Sequence, residues 1–207
     1  MNRLLIATTN PAKLAEYRLL LRGYGLRVLS LADFAIDAEA PEDAPSFAEN
    51  ARLKARFYFA RAQVATLADD GGLEVDALGG APGVRSHRWL GDDADDRRLA
   101  DEIIRRMRGV EPPRRTARLR AAAALIFSDA GAVRERVVEA ALDGVIPERR
   151  HERVRSGFPY RAVLFLPDRG CYLGELGEEE EARISQRRAL VRQLDADLRR
   201  LAAAGSE

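Results

Sequence analysis

Three short stretches of this chain hold the residue types that phosphate and metal chemistry needs. Thr8-Thr9-Asn10-Pro11-Ala12-Lys13 follows a brief apolar run, Leu4 to Thr8, and precedes apolar residues at helical spacing. Where a strand hands over to a helix, free backbone N–H groups and the positive end of the helix dipole hold anions. Lys13 would add a full charge there, and Thr8 and Asn10 would add hydrogen bonds. An ordinary N-cap loop has the same appearance. Asp69-Asp70-Gly71-Gly72 follows a predicted strand, and ligands of α/β folds gather at the carboxyl ends of strands. Paired carboxylates can hold Mg²⁺, or one can orient a water as general base; a polar Asp-Gly turn is the plain alternative. Glu49, Asn50 and Lys54 form the third set. Asn50 and Lys54 are four apart and share a helical face, although a solvated helix with one cap accounts for them by themselves.

The elements that must position these residues follow from periodicity and punctuation. Leu4–Thr8 reads as a strand, Leu14–Leu21 as a helix stopped by Gly23 and Gly25, and Leu26–Leu29 as a second strand. Strand, polar loop and helix open an α/β unit. Residues 38–45 are acidic and proline-bearing and read as a mobile loop. Ser46 and Glu49 make a capping-box pattern for a helix to about Val64. Thr66–Ala68 is a short strand ending at the paired aspartates, with Leu73–Val75 extending or resuming it. Leu78–Val84 is a glycine-proline loop, and Asp93 caps a helix to about Arg108. Thr116–Ser128 and Arg134–Ile146 form a hairpin with a three- or four-residue connection, and Ala162–Leu166 is a buried strand. The tail from Glu178 to Ala204 is helical with a break near Ser185.

Composition narrows the functional classes. The chain has 207 residues, 46% hydrophobic and 32% charged, which specifies a packed core and a single domain over residues 1–207. No apolar run reaches the roughly 20 residues of a membrane span, and the N-terminus does not read as a signal peptide, so a cytoplasmic protein without a membrane partner is expected. Cys171 is the sole cysteine, which excludes an internal disulfide and a multi-cysteine zinc site. A net charge of +1 gives no support for a nucleic-acid partner. His87 and His151 do not suggest a metal pair, and the Glu178–Glu181 block reads as a solvated helix face. Of 34 basic residues only Lys13 and Lys54 are lysines. A compact ammonium does what a planar guanidinium does poorly at some phosphate sites, so both are worth following.

The ordered blocks TTNPAKLAE, SFAENARLKA, ADDGGLEVDALGGAPGVRSHRW, GFPY and ISQRRAL resemble the inosine triphosphate pyrophosphatase family, the noncanonical purine nucleoside triphosphate pyrophosphatases. The match runs over almost the whole chain, and both lysines fall inside it. The resemblance implies an α/β fold: an elongated mixed β-sheet flanked by helices, with two lobes around a central nucleotide-binding cleft, usually as a homodimer. It implies Mg²⁺-dependent hydrolysis of ITP, dITP or XTP to monophosphate and pyrophosphate, cleansing the nucleotide pool. By the same resemblance Thr8, Thr9, Asn10 and Lys13 hold the triphosphate, and Asn50 and Lys54 join from the second motif. Asp70 is the catalytic acid that binds Mg²⁺ and activates water, Asp69 supports it, and Glu42 is the best match for a metal-assisting glutamate. Gly71, Gly83, Ser86 and Arg88 line the cleft. Phe158, with Pro159 and Tyr160, stacks on the base, and Ser185, Gln186 and Arg187 read the purine edge. Arginine donors near the six position favour a keto oxygen, because an amino group there would leave a buried donor unpaired at about 1–3 kcal/mol.

Departures from the family pattern gather at the base end. Gly71 replaces Ser, Gln186 replaces His, Arg161 replaces Asp and Glu181 replaces Lys. The last two exchange sign, so a reversed ion pair between Arg161 and Glu181 is expected; drift of the pocket is the other account. Two further functions stay open: the same chemistry with relaxed base specificity, since Gln186 both donates and accepts, and a nucleotide-binding paralogue with weak turnover.

Overall fold

Asn10 starts the first helix in the way its residue type predicts. Its Oδ1 accepts from Ala12 N at 2.9 Å and Lys13 N at 3.2 Å, and Pro11 occupies the first helical position where no N–H is needed. Ser46 acts likewise for the second helix: its Oγ accepts from Glu49 N at 3.2 Å and donates to Glu49 Oε2 at 2.9 Å. In the computed structural model, which describes residues 2–91 and 94–204, the elements are β1 (Arg3–Ile6), α1 (Pro11–Leu20), β2 (Arg27–Leu29), α2 (Phe47–Ala62), β3 (Ala65–Val75), α3 (Asp96–Arg106), β4 (Thr116–Asp129), β5 (Ala132–Val145), β6 (Phe165–Leu166), β7 (Cys171–Tyr172), α4 (Glu178–Ile184), α5 (Gln186–Gln193) and α6 (Asp195–Ala203).

The described strands make one seven-stranded mixed sheet in the order β2-β1-β3-β4-β5-β6-β7. β1 lies parallel to both β2 and β3, with Leu5 opposite Leu29 and Thr66. β6 is antiparallel to β5 and to β7. The α/β class expected from the sequence is therefore present. None of the described helices is long and apolar enough to cross a membrane.

The chain divides into two units, Met1–Asp70 with Ala121–Ala140 and Arg187–Glu207, and Gly71–Arg120 with Ala141–Gln186. The first buries Leu4, Leu5, Ile6, Leu67, Leu125 and Phe127 from its strands and Tyr17, Ala51, Leu190 and Leu198 from its helices. The second has a core built on Leu73, Leu99, Ile103, Met107, Ile146, Leu164 and Leu173. Arg115 in the second unit is buried, with its guanidinium donating to the carbonyls of Met107, Val110, Ile146 and Pro147.

Several sequence expectations are corrected. β3 does not end at the paired aspartates: Asp69, Asp70, Gly71 and Gly72 lie inside one strand of 11 residues. The polar-turn alternative for Asp-Asp-Gly-Gly is not adopted: neighbouring cations neutralise the carboxylates, and Leu73–Val75 extends the same strand. Gly72 must be glycine for a separate reason. A Cβ there would lie 2.0 Å from Ser86 Oγ and 2.7 Å from the Gly83 carbonyl. Ser86 Oγ closes this contact by accepting from Leu73 N at 3.0 Å and donating to Gly83 O at 2.6 Å.

The helix assigned to an Asp93 cap is capped by Asp95, whose Oδ1 accepts from Arg98 N at 2.7 Å; Asp93 itself lies outside the described residues. The β4–β5 turn needs only Ala130 (φ 47°) and Gly131 (φ 80°), since two consecutive left-handed residues match the twist of a tight hairpin. Of the apolar run Ala162–Leu166 only Phe165 and Leu166 are strand. Pro159–Ala162 is a short 3-10 turn, because a run buried on all sides carries no periodicity to separate turn from strand. The tail breaks at Ser185 as expected and again at Leu194, where Asp195 Oδ1 accepts from Tyr24 Oη at 2.8 Å.

Gly72→Ala is expected to lose about 1–3 kcal/mol of stability by overpacking against Ser86 and Gly83. Gly177→Ala, where the added methyl meets no atom within 4 Å, carries no overpacking penalty and is expected to lose only the weaker N-cap preference of alanine, about 0.5–1 kcal/mol, less than Gly72→Ala. Urea denaturation of the two variants measures the contrast.

Candidate active site

Asp69 sits in mid-strand with 2% of its surface exposed. A lone carboxylate in that position would lose its proton only at great cost. Here Arg187 Nε lies 2.9 Å from Oδ2 and Lys13 Nζ 3.3 Å from Oδ1. Burial pushes the Asp69 carboxyl up, but Arg187 and then Lys13 outweigh it and hold it at about 2. Arg187 stands at the start of α5 and also reaches Glu16 Oε2 at 3.2 Å. Its own charge is held more firmly than usual, since Asp69 and Glu16 outweigh the cost of its burial. Lys13 and Glu16 are three apart on α1 and so share a face. Burial draws the Lys13 ammonium below its ordinary value despite the pull of Asp69.

Asp70 is held from α2. Asn50 Nδ2 donates to its Oδ2 at 3.0 Å, and Lys54 Nζ lies 3.4 Å from Oδ1. Lys54 also reaches the Asp69 carbonyl at 3.3 Å and Glu42 Oε1 at 2.8 Å. Burial opposes the Lys54 charge, but Asp70 and Glu42 together raise its pKa.

The acidic loop read as mobile from the sequence is fastened along one face of α2. Ala44 N donates to Asn50 Oδ1 at 3.0 Å, Glu42 meets Lys54, and Ala40 N donates to Tyr58 Oη at 3.3 Å. Residues 50, 54 and 58 recur at four-residue spacing, and each takes an alternate residue of the loop. Side chains on one helical stripe thereby bring Glu42 to the same ammonium as Asp70.

Asn10 Oδ1 caps α1, its own N–H donates to Thr8 Oγ1 at 3.1 Å, and Thr9 is exposed. The first unit thus brings together Lys13, Glu42, Asn50, Lys54, Asp69, Asp70 and Arg187. Four carboxylates, Glu16 included, face three cations in this cluster, which leaves one net negative charge.

The donor set fits a small hard cation. Asp70, Glu42 and the Asp69 carbonyl offer oxygens only, and they already converge on a positive charge, the Lys54 ammonium. Among the described residues no cluster of three or more His, Cys, Asp or Glu could hold a metal ion. Mg²⁺ needs no such cage, because it typically takes one or two carboxylates and fills its shell with water and substrate phosphates.

In the second unit the expected reversed pair is present: Arg161 Nε lies 2.5 Å from Glu181 Oε1. The Arg161 Cζ also sits over the Phe158 ring, 3.3 Å from its centroid. Glu181 is buried, against the expectation of a solvated block, because Arg155 joins it at 2.7 Å through Oε2 and so compensates its charge from a second side. Arg155 further donates to the Leu176 carbonyl at 3.0 Å. Tyr160 Oη donates to the Ser86 carbonyl at 2.5 Å, which ties the Pro159–Ala162 turn to the Gly83–Ser86 segment. Pro159, Ser185 and Gln186 are buried, Gly71 is half-buried and Arg88 is exposed. Arg187, expected at the purine edge, belongs to the first unit and turns Nε and Nη1 to Asp69 and Glu16 of that same unit.

Glu16, Tyr58 and Arg155 escaped the sequence reading. Glu16 and Tyr58 carried a detectable signal, the helical spacing to Lys13 and to Lys54. Arg155 carried none, since its partner is 26 residues away.

The model of the Ham1 family matches residues 4–197. The chain is 40% identical over 195 residues to a dITP/XTP pyrophosphatase of Geobacillus kaustophilus, covering 94% of this chain and 93% of that one. It is 39% identical over 192 residues to a protein of the same name from Thermus thermophilus, covering 93% and 89%. Among solved structures it is similar to a HAM1 protein from Coxiella burnetii, with a TM-score of 0.82, 28% identity and coverage of 96% and 98%. It is also similar to a nucleoside-triphosphatase / dITP/XTP pyrophosphatase from Mycobacterium abscessus, with a TM-score of 0.71, 34% identity and coverage of 93% and 98%.

Asp69 predicts the behaviour in acid. Its depressed pKa stabilises the fold in full above the unfolded value of 3.8, and this stabilisation, on the order of 2 kcal/mol, drains away as pH falls toward about 2. Stability measured by urea titration should therefore drop between those pH values. Arg187→Met should cost about 3–5 kcal/mol at neutral pH by leaving Asp69 short of a partner, and should move the acid transition upward.

Proposed function

The chain belongs to the Ham1 family, and on that premise we propose that it hydrolyses noncanonical purine nucleoside triphosphates of the dITP/XTP class to monophosphate and pyrophosphate. One observation carries the reading: the only two lysines of the chain both end on the adjacent carboxylates of β3. In a chain otherwise served by arginine, two compact ammonium groups at one acidic pair fit a site for phosphate oxygens.

Lys13 and the N-terminal turn of α1 receive phosphates on this account, with Thr8, Thr9 and Asn10 forming the loop that presents them. Lys54 adds a second cation. Asp70, oriented by Asn50, takes the proton of the attacking water. The water oxygen bonds to the α-phosphorus, the α–β bridging P–O bond breaks, and pyrophosphate leaves with the electron pair. Asp69 acts through Lys13, which it positions. Asp70 and Glu42 would hold Mg²⁺, which when bound neutralises charge on the triphosphate and on the leaving group. Fixed cations act most strongly where charge develops in the transition state, which is the largest single effect at many such sites.

Gly71, Gly83, Ser86, Arg88, Phe158, Pro159, Tyr160, Arg161, Glu181, Ser185 and Gln186 remain assigned to the cleft and base end through the family resemblance. A shifted base preference within the same chemistry has its own support. Two nitrogens of Arg187 face carboxylates, Arg161 covers a face of Phe158 and pairs with Glu181, and Gln186 can meet either a keto or an amino group. The near-zero net charge supports a small-molecule substrate over nucleic acid. A cytoplasmic homodimer without a membrane partner completes the proposal.

Pyrophosphate release from ITP, XTP, dITP, ATP, GTP and a pyrimidine triphosphate, each with Mg²⁺ and with EDTA, is the test. Release is expected with Mg²⁺ only. Preference for ITP, dITP and XTP supports the main reading, and a flat profile the shifted one. Tight nucleotide binding without release overturns both. Asp70→Asn should lower kcat by roughly 100- to 10,000-fold with the fold intact, and full activity in that variant would remove Asp70 from the chemistry.

A further inference from the structure

Lys54 has a position that phosphate binding does not explain. Its ammonium is buried, and the oxygens around it are Glu42 Oε1 at 2.8 Å, Asp70 Oδ1 at 3.4 Å and the Asp69 carbonyl at 3.3 Å. Those are the oxygens suited to a hard divalent cation. Two cations cannot bind one carboxylate oxygen at contact distance without strong mutual repulsion, and in a partly buried site that repulsion is little screened.

The mounting of Glu42 matters as much as the charges. Lys54 is the middle rung of three: Asn50–Ala44 and Tyr58–Ala40 fasten the same loop on either side, and neither depends on a charge. Asn50 also holds the second oxygen of Asp70. If the middle rung opens, the outer two still keep Glu42 and Asp70 facing one another.

We infer that Lys54 is a built-in stand-in cation, which occupies the divalent-metal position in the nucleotide-free protein and is displaced when metal enters. The inference rests on the metal assignment made above for Asp70 and Glu42. Its consequence is an ordered exchange. Without metal, the ammonium keeps two neighbouring carboxylates from repelling each other. Metal entry releases the ammonium, so the second phosphate-binding cation becomes available only at a loaded site. Metal loading and triphosphate capture are thereby coupled through one side chain, with no movement of the backbone required.

The test reads metal binding without nucleotide, so it is independent of which triphosphate is turned over. Calorimetric titration of Mg²⁺ into wild type and Lys54→Met should show binding tighter by roughly tenfold or more in the variant, because the competing charge is gone. Lys54→Arg, which keeps the charge, should not gain affinity. Equal or weaker Mg²⁺ binding in Lys54→Met overturns the inference, as does absence of binding in either protein.

The wild type supplies a readout that does not depend on a variant folding. With only two lysines in the chain, ¹³C-labelled lysine gives two side-chain signals, assigned with Lys13→Arg. Adding Mg²⁺ should shift the Lys54 εCH₂ signal toward the value of a solvated lysine. A Lys54 signal unmoved at saturating metal would show that the ammonium and the metal do not share a position. Loss of pyrophosphatase activity with this exchange intact would count against the proposed function alone.

Discussion

Two carboxylates on consecutive residues, inside a sheet strand and largely screened from water, are a liability unless something compensates their charge. In β3 the compensation is split. Asp69 is neutralised by Arg187 and Lys13, and Asp70 by Lys54 with a hydrogen bond from Asn50. Successive residues of a strand point to opposite faces, so the two carboxylates take their closest ion pairs from different cations. The pairing therefore recruits three elements around one strand: α1 supplies Lys13, α2 supplies Asn50 and Lys54, and the start of α5 supplies Arg187. Removing a charge from such a set leaves another exposed to the full cost of burial, which is why buried ion pairs are poor sources of stability yet strong constraints on arrangement.

That constraint has a functional side. Under the proposed function, such a cluster would meet a highly charged anion and a divalent cation with fixed charges of both signs and little net charge of its own. The cluster here has one negative charge in excess. The loop carrying Glu42 is held by a stripe of α2 side chains at positions 50, 54 and 58, with bonds to Ala44, Glu42 and Ala40 in turn. A helical face used in this way sets the placement of a carboxylate that has no regular structure around it.

The second unit solves a related problem with arginine. Glu181 is buried between Arg155 and Arg161, and Arg161 rests on the ring of Phe158. A planar guanidinium can pair along its edge and stack along its face at once, which an ammonium cannot. The choice of lysine at the aspartate pair of β3 and arginine at Glu181 follows the geometry each charge must satisfy.

Legible from the residues alone were most of the helices and strands, the cap at Ser46, the paired aspartates with their two lysines, and the sign exchange at Arg161 and Glu181. Each of these is local or rests on motif order, and local chemistry is legible without a fold. It took the folded chain to show that Asp69 and Asp70 belong to the middle of a strand and not to a turn beyond its end. The fold also decided that the loop around Glu42 is fastened, that Arg187 serves Asp69 and Glu16, and that Arg155 completes the pair at Glu181. The reason is the same in every case. Whether a buried charge is tolerable depends on partners up to 171 residues distant in the chain, and no local pattern records which distant residue folding will bring within 3 Å or so of it.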